Sequence, residues 1–423
     1  MSAATPGPRV VILGGGFAGL YAARALAGAP VTVTVVDRTN HHVFQPLLYQ
    51  VATGVLAPSD ITVPIRWRLR SQANATVLLA GATTIDVARR EVGLDSEPGV
   101  LAYDYLIVAT GARHAYFGHD EWEAHAPGLK TIEDAFAVRR RFLLALERAE
   151  RTADPAVRAA EMTIVVVGGG PTGVELAGMI PTVCRRALVR EFRQIDTRRV
   201  RVVLVEAGPR LLPAFPEPLA DRARRDLAAL GVEVRLGTAV SGVDAGGVTI
   251  GAERIAARTV FWAAGNLASP LGRALGAPLD RQGRVLVEPD LSLPGHLELF
   301  AAGDLAATTA GGKPVPAVAP AAVQHGQCAA RNILRDLAGR PREPFRYFNK
   351  GDLATIGRNK AVGMLWDGRL RLTGRAAWWF WVFVHILYLA GFRNRASVLL
   401  QWAYAYVTYQ HGVRLITGTD ARR

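Results

Sequence analysis

The run RVVILGGGFAGL at residues 9–20 has a counterpart, TIVVVGGGPTGVELAG, at residues 163–178. Each is a β-branched strand followed by G-x-G-x-x-G and a helical pattern, with glycines at 14, 16 and 19 and again at 168, 170 and 173. In such a turn the first glycine allows the tight bend and the second lets backbone approach a pyrophosphate. The third lets helix pack on strand, and the helix N-terminus faces the phosphates. Both units also end their second strand on an acid, TVTVVD on Asp37 and RVVLVE on Glu206, where a carboxylate can accept hydrogen bonds from a ribose. One such motif is weak, because a purely structural turn uses the same glycines. Two copies, each with its strand and acid, restrict the chain to doubly wound α/β units that hold dinucleotides. The longer interval before Glu206 carries the basic run CRRALVREFRQ (184–194), which is expected to extend the crossover as helix.

Between and after the two units lie buried-type strands ending in small-residue turns: AYDYLIVATGA (102–112), ARTVFWAAGN (257–266) and HLELFAAGDLA (296–306). With 423 residues the chain exceeds what one core usually serves. The expected division is a first part of a nucleotide domain at 1–116, a second nucleotide domain at 117–266, a return to the first at 267–345, and a separate C-terminal region at 346–423. Two such sites most naturally hold a flavin dinucleotide and a nicotinamide dinucleotide. Cys184 and Cys328 are the two cysteines, and they form no C-x-x-C pair, disulfide framework or zinc cluster. Redox chemistry therefore falls to the cofactor. His41 and His42 lack a third ligand at suitable spacing, so no metal is expected. The N-terminus runs into a strand without an apolar stretch, and no secretory signal is expected.

Several runs go beyond the general fingerprint: NHHVFQPLLYQVATGVLAPSDITVPIR (40–66), GGGPTGVELAG (168–178), AAGD (301–304), KGDLATIGRNKAV (350–362) and WVFVHILYLAGFRNR (381–395). Through these, across nearly its whole length, the chain resembles the type II NADH dehydrogenases, single-chain NADH:quinone reductases of the two-dinucleotide flavoprotein superfamily. The resemblance implies FAD in the first unit, on Gly14, Gly16, Gly19 and Asp37, with Ala109, Thr110, Gly111, Gly303 and Asp304 closing over it. It implies NADH in the second, on Gly168, Gly170, Gly173 and Glu206, with Ala264 and Gly265 near the nicotinamide. Glu206 would repel the 2′-phosphate of NADPH, an inference that Arg210 weakens. The family reading makes Glu175 and Lys350 the catalytic pair on the quinone side. On the bland reading Glu175 is an acid in the first turn of its helix and Lys350 an exposed linker residue. Gln45, Gln50, Ala319 and Gln324 are the implied quinone contacts. The family pattern A-Q-x-A-x-Q reads A-P-A-A-V-Q at 319–324, and Pro320 removes an amide and a backbone N–H.

The net charge is +14, and residues 357–423 hold ten Lys/Arg against two acids. There, 17 uncharged residues (376–392) lie between Arg375 and Arg393, and a second uncharged stretch runs from 396 to 413. The first is short for a span and the second too polar, so an amphipathic helix lying on an anionic membrane is expected. Trp378, Trp379, Trp381, Phe383, Ile386 and Leu389 would form its apolar face, with Arg375, Arg393 and Arg395 at lipid phosphates. The full expectation is a peripheral (monotopic) enzyme at the cytoplasmic face of the cell membrane. It would be a homodimer, transfer hydride from NADH to FAD and electrons to a membrane quinone, pump no protons and bind no nucleic acid. The rivals are a soluble NADH-dependent reductase of a small electron carrier and a basic nucleic-acid-binding flavoprotein.

Overall fold

The structure, a computed structural model, describes residues 7–366, 368–389, 392–408 and 414–417. The chain divides into two compact units. The first takes in the chain up to Val43, Val63–Arg113 and Asn266–Asn349, and the second Phe44–Thr62, His114–Gly265 and the chain from Lys350 onward.

The first unit is built on a six-stranded sheet in the order Ser292–Leu293, His296–Ala301, Tyr105–Val108, Arg9–Leu13, Thr32–Asp37, Ala75–Leu79. All pairings are parallel except at the Ser292–Leu293 edge. The central strand shows why a continuous apolar run is needed. Val10 and Ile12 point to a core shared with Leu20, Ala329 and Ile333, while Val11 and Leu13 point to one shared with Val92, Leu299 and Leu305. On the first face the helices Phe17–Ala25 and Ala319–Leu337 cross closely. A Cβ on Gly326 would collide with the carbonyl of Ala18, so only glycine permits the crossing. A three-stranded antiparallel sheet, Ala82–Asp86, Glu91–Leu94 and Val100–Ala102, contributes Ile85, Val92 and Leu94 to the other core.

The second unit repeats the plan. Its parallel sheet runs Val232–Leu236, Arg201–Glu206, Thr163–Val167, Thr259–Trp262, and Thr163–Val167 is buried throughout. It too carries a three-stranded antiparallel sheet, Val240–Asp244, Gly247–Ile250 and Glu253–Ala256. The internal duplication thus extends past the glycine motifs to whole supersecondary units. The basic run 184–194 departs from expectation. The helix Pro171–Thr182 ends in a five-residue π turn, Val183–Ala187, and no helix follows it in the run. The Glu150 carboxylate accepts the backbone N–H groups of Arg193, Gln194 and Ile195, leaving those donors unavailable to a helical ladder.

The C-terminal part of this unit is an antiparallel sheet, Asp352–Thr355, Ala361–Leu365 and Leu370–Thr373, followed by helices Gly374–Tyr388 and Phe392–Thr408. Among the described residues no helix is long and apolar enough to cross a membrane. Ala390, Gly391 and 409–413 of the two uncharged stretches lie outside the described residues, as does the side chain of Arg393. Two members of the expected apolar face are core instead. Trp381 is buried between His385, at 4.1 Å, and Trp402, at 5.3 Å, and Leu389 is also buried. The exposed stripe is Trp379, Phe383 and Leu387, at spacing i, i+4, i+8. Arg395 is also placed otherwise than expected. Its guanidinium donates to the carbonyls of Leu389 and Leu387, because the end of the first helix leaves those acceptors unpaired.

Candidate functional site

In the first unit, Gly14 has φ +102° and backs onto the Ala109 carbonyl, where a Cβ would not fit. Gly16 is the N-cap of the helix Phe17–Ala25, has no side-chain cap, and faces open space. The N-terminus of the helix therefore faces a place with room for phosphate. Gly19 lies so close to the Gly14 carbonyl that no Cβ could be accommodated. Asp37 fixes the turn: Oδ2 accepts the Gly15 N–H at 2.6 Å, and Oδ1 accepts Thr39 N–H and Oγ1 at 2.7 and 2.8 Å. Ala109 is buried, and Gly111 has φ +68°. The Thr110 Oγ1 between them is buried with no hydrogen-bond partner among the described residues. An orphaned hydroxyl beside a glycine cradle with an uncapped helix N-terminus fits a dinucleotide that supplies the missing partner.

Gly303 and Asp304 lie in a short 3-10 turn, Gly303–Leu305, and Gly303 has φ +71°. The Gly303 N–H donates to Nδ1 of buried His325 at 3.1 Å, so the neutral ring carries its proton on Nε2, 3.1 Å from Thr308 Oγ1. Burial holds this histidine down to about 4, and a proton on Nδ1 would break the Gly303 bond. His42, also buried and down to about 4, lies against the Gly15 carbonyl and the Phe17 ring. The sequence reading assigned neither histidine a positioning role. Ala319 and Pro320 open the helix Ala319–Leu337. Pro320 therefore removes an N–H that the first turn leaves unpaired in any case. The Gln324 amide is held by backbone: Nε2 donates to Phe348 O at 3.0 Å and to Pro320 O at 3.1 Å, and Oε1 accepts Phe348 N–H at 2.8 Å.

The second unit reproduces the cradle. Gly168 has φ +110° against the Ala263 carbonyl, Gly170 is an uncapped N-cap facing open space, and Gly173 is pressed on Gly168 O. Glu206 accepts Gly169 N–H and Gly208 N–H, both at 2.6 Å. Asp37 and Glu206 thus do the same thing in their units, tying the middle glycine of the motif, a position the sequence reading left unassigned. Arg210 turns onto the Pro213 carbonyl of its own loop. Ala264 precedes Gly265 (φ +73°), and a Cβ on Gly265 would press on Phe117. Phe117 is an exposed aromatic at φ +54°, unusual for a bulky side chain.

Glu175 is the fifth residue of the helix Pro171–Thr182, past its first turn, and is buried. It is therefore no dipole-complementing surface acid. The helix is approached at Gly178 by Gly357, where a Cβ would meet the Gly357 amide, and this brings Thr355 N–H to 3.4 Å from Glu175 Oε1. Burial pushes the carboxyl up to about 8, opposed by that N–H. Tyr49, pushed up by burial and by Glu175, lies 2.9 Å from Thr355 Oγ1. Gln50 is buried and donates to Tyr49, whereas Gln45 is exposed and bonds the Lys130 carbonyl. Lys350 is exposed, 2.9 Å from the Tyr388 hydroxyl and 4.9 Å above its ring. Cys184 and Cys328 are both buried, and burial raises both thiols. Among the described residues no group of three or more metal-ligating side chains forms.

Residues 8–326 match the pyridine nucleotide-disulphide oxidoreductase family. Two relatives from Mycobacterium tuberculosis (strain H37Rv), both named type II NADH:quinone oxidoreductase, are 44% identical to this chain. Ndh aligns over 98% of this chain and 91% of its own, and NdhA over 97% and 89%. A solved structure of NDH2 from Plasmodium falciparum in complex with NADH shares the fold, with a TM-score of 0.87 at 20% identity over 97% of this chain and 100% of that one. With two glycine cradles, a buried acid and this likeness along its length, the chain belongs to the type II NADH:quinone oxidoreductases.

Proposed function

We propose that this chain oxidises NADH and reduces a membrane quinone, with FAD held in the first unit and NADH in the second. The observation that carries the reading is the pair of equivalent cradles, each with an uncapped helix N-terminus, an open second glycine and an acid tying the turn. FAD held by the first cradle would supply the redox chemistry, hydride acceptance from a nicotinamide and two-electron donation to a quinone. Gly14, Gly16, Gly19 and Asp37 receive its pyrophosphate and ribose, Ala109, Thr110 and Gly111 border it, and Gly303 and Asp304 close over it. Glu206 selects NADH, because a second negative charge at the ribose would be repelled. Arg210 is taken up by its own loop and does not offset this.

Quinone reduction consumes two protons, one from NADH oxidation and one from solvent. Glu175, protonated up to about pH 8, is the proton donor. Below that pH the carboxyl carries its proton and the step proceeds. As pH rises through 8 the proton is lost and the step slows. Lys350 places positive charge at Tyr388. Gln45, exposed on the second unit, is a polar group offered to the quinone. Gln50 is held between Tyr49 and Trp402 and so is not a free amide for the quinone. The exposed Trp379, Phe383 and Leu387 attach the protein peripherally to the cytoplasmic face of an anionic membrane. The protein acts as a homodimer and pumps no protons.

The test is the visible spectrum of the purified protein. NADH should bleach the flavin absorbance, and a short-chain quinone should restore it. A protein without bound flavin, or one reoxidised only by a small carrier protein, would overturn the reading.

A further inference from the structure

Four buried or half-buried side chains of the second unit form a chain whose direction is fixed at one end. The indole Nε1 of Trp402, on the helix Phe392–Thr408, donates to Gln50 Oε1 at 2.8 Å. Gln50 Nε2 donates to the Tyr49 hydroxyl at 3.0 Å, and that oxygen lies 2.9 Å from Thr355 Oγ1. An indole N–H can only donate, so Trp402 holds the Gln50 carbonyl toward itself and the Gln50 amino group toward Tyr49. Among the described residues Thr355 Oγ1 is the one acceptor the structure gives the buried phenol hydrogen, because Gln50 Nε2 is itself a donor, so we assign that hydrogen to Thr355. Every dipole in the chain then points its positive end toward the residue whose backbone N–H meets Glu175. Gln50, Tyr49 and Thr355 are only 4%, 3% and 2% exposed, so water does not compete for these bonds.

We infer that Trp402 is a positioning residue for quinone reduction: acting through Gln50, Tyr49 and Thr355, it sets the proton affinity of Glu175. The C-terminal helix is thereby part of the proton-donating apparatus and not only a docking surface. Asn394 and Ser397 of the same helix bond the Thr62 carbonyl and the Asp60 carboxylate, which holds Trp402 in register with Gln50. The inference rests on the reading of Glu175 as donor. The groups that face Glu175 are few. Tyr49 comes from the helix Leu48–Ala52 and the Thr355 N–H from the strand Asp352–Thr355. On the neighbouring helix Glu217–Ala229, Asp226 is engaged by Arg222 and Lys360. The remaining influence on the carboxyl is burial.

Trp402→Phe removes the donor and keeps a ring against Trp381. The Gln50 amide is then free to reverse, and the phenol dipole with it, which disfavours the ionised carboxylate. Two readouts on the flavin-loaded protein report this. One is the infrared band of the protonated Glu175 carboxyl, titrated with pH and assigned by its loss in Glu175→Gln. The other is the high-pH limb of turnover with quinone. In Trp402→Phe both midpoints should move up by about half to one pH unit. Tyr49→Phe should shift them in the same direction, and the double variant should match Tyr49→Phe alone, because the two residues act in series. An unmoved midpoint, or a double variant showing the sum of the two shifts, overturns the inference. If Trp402→Phe does not yield folded protein, Gln50→Met cuts the same link with the indole in place, and the same shift is required. If Glu175→Gln leaves both the band and the limb intact, the donor assignment itself fails. If Glu175→Gln abolishes them while Trp402→Phe leaves them unmoved, only the coupling to Trp402 fails.

Discussion

At the scale of the residue, the two acids that close the nucleotide strands show how one carboxylate serves two ends. Glu206 spends one lone pair on each of two backbone N–H groups, from Gly169 and Gly208, and so shapes the turn. Its remaining lone pairs are available to a ribose. Glu206→Gln keeps the size but trades one acceptor for a donor that faces a backbone N–H. The loss of one charged hydrogen bond is worth about 1.5–3 kcal/mol, roughly tenfold to a hundredfold. KM for NADH should rise by that factor and the preference over NADPH should narrow, measured as the ratio of kcat/KM for the two coenzymes. An unchanged ratio would remove Glu206 from coenzyme selection. The glycines and this acid were legible in the sequence because local strand–turn–helix geometry dictates them. The partners of Glu175 were not. Tyr49, Thr355 and Trp402 lie 126, 180 and 227 positions from it, and nothing in their local pattern records which side chains the fold will bring together.

At the scale of the element, the parallel strands were the most legible feature, since a strand covered on both faces must be apolar throughout. Less legible was what crosses what. The helix Ala319–Leu337 reaches the first nucleotide turn only because Gly326 lets it press on the Ala18 carbonyl, and sequence alone shows one more helical glycine. Gly326→Ala forces backbone apart at that crossing, an overpacking worth about 1–3 kcal/mol. The same shift carries His325 away from the Gly303 N–H that it holds. Thermal stability should fall, and flavin should be released more readily on dilution, read as the rise of free-flavin fluorescence. A variant of reduced stability that keeps its flavin would separate the crossing from the cofactor turn. The part of the basic run after Ala187 forms no helix, for a related reason. Its composition suits a helix, but the distant Glu150 carboxylate takes the amides of Arg193, Gln194 and Ile195 at its end.

At the scale of the whole molecule, the question is how a chain of net charge +14 with no membrane-crossing helix among its described residues would reach the membrane quinone proposed for it. The sequence indicated an apolar, arginine-flanked C-terminal segment, but composition does not divide the helix into faces. The fold does. Trp381 is committed to the interior with Trp402, while Trp379, Phe383 and Leu387 are 58%, 63% and 49% exposed in one stripe. Deleting the helices would therefore destroy core as well as surface, whereas Trp379→Ser, Phe383→Ser and Leu387→Ser together alter only exposed side chains. Burying such side chains in the acyl boundary is worth about 1.5–3 kcal/mol each. Losing all three should weaken binding to anionic vesicles by more than about a thousandfold. Turnover with a long-tailed quinone should fall, and NADH oxidation with a water-soluble acceptor should persist. High salt should detach the unaltered protein only in part, because it screens the arginines while strengthening apolar burial. Retention of the triple variant on vesicles, or complete release of the unaltered protein by salt alone, would show that this stripe is not what holds the enzyme at the membrane.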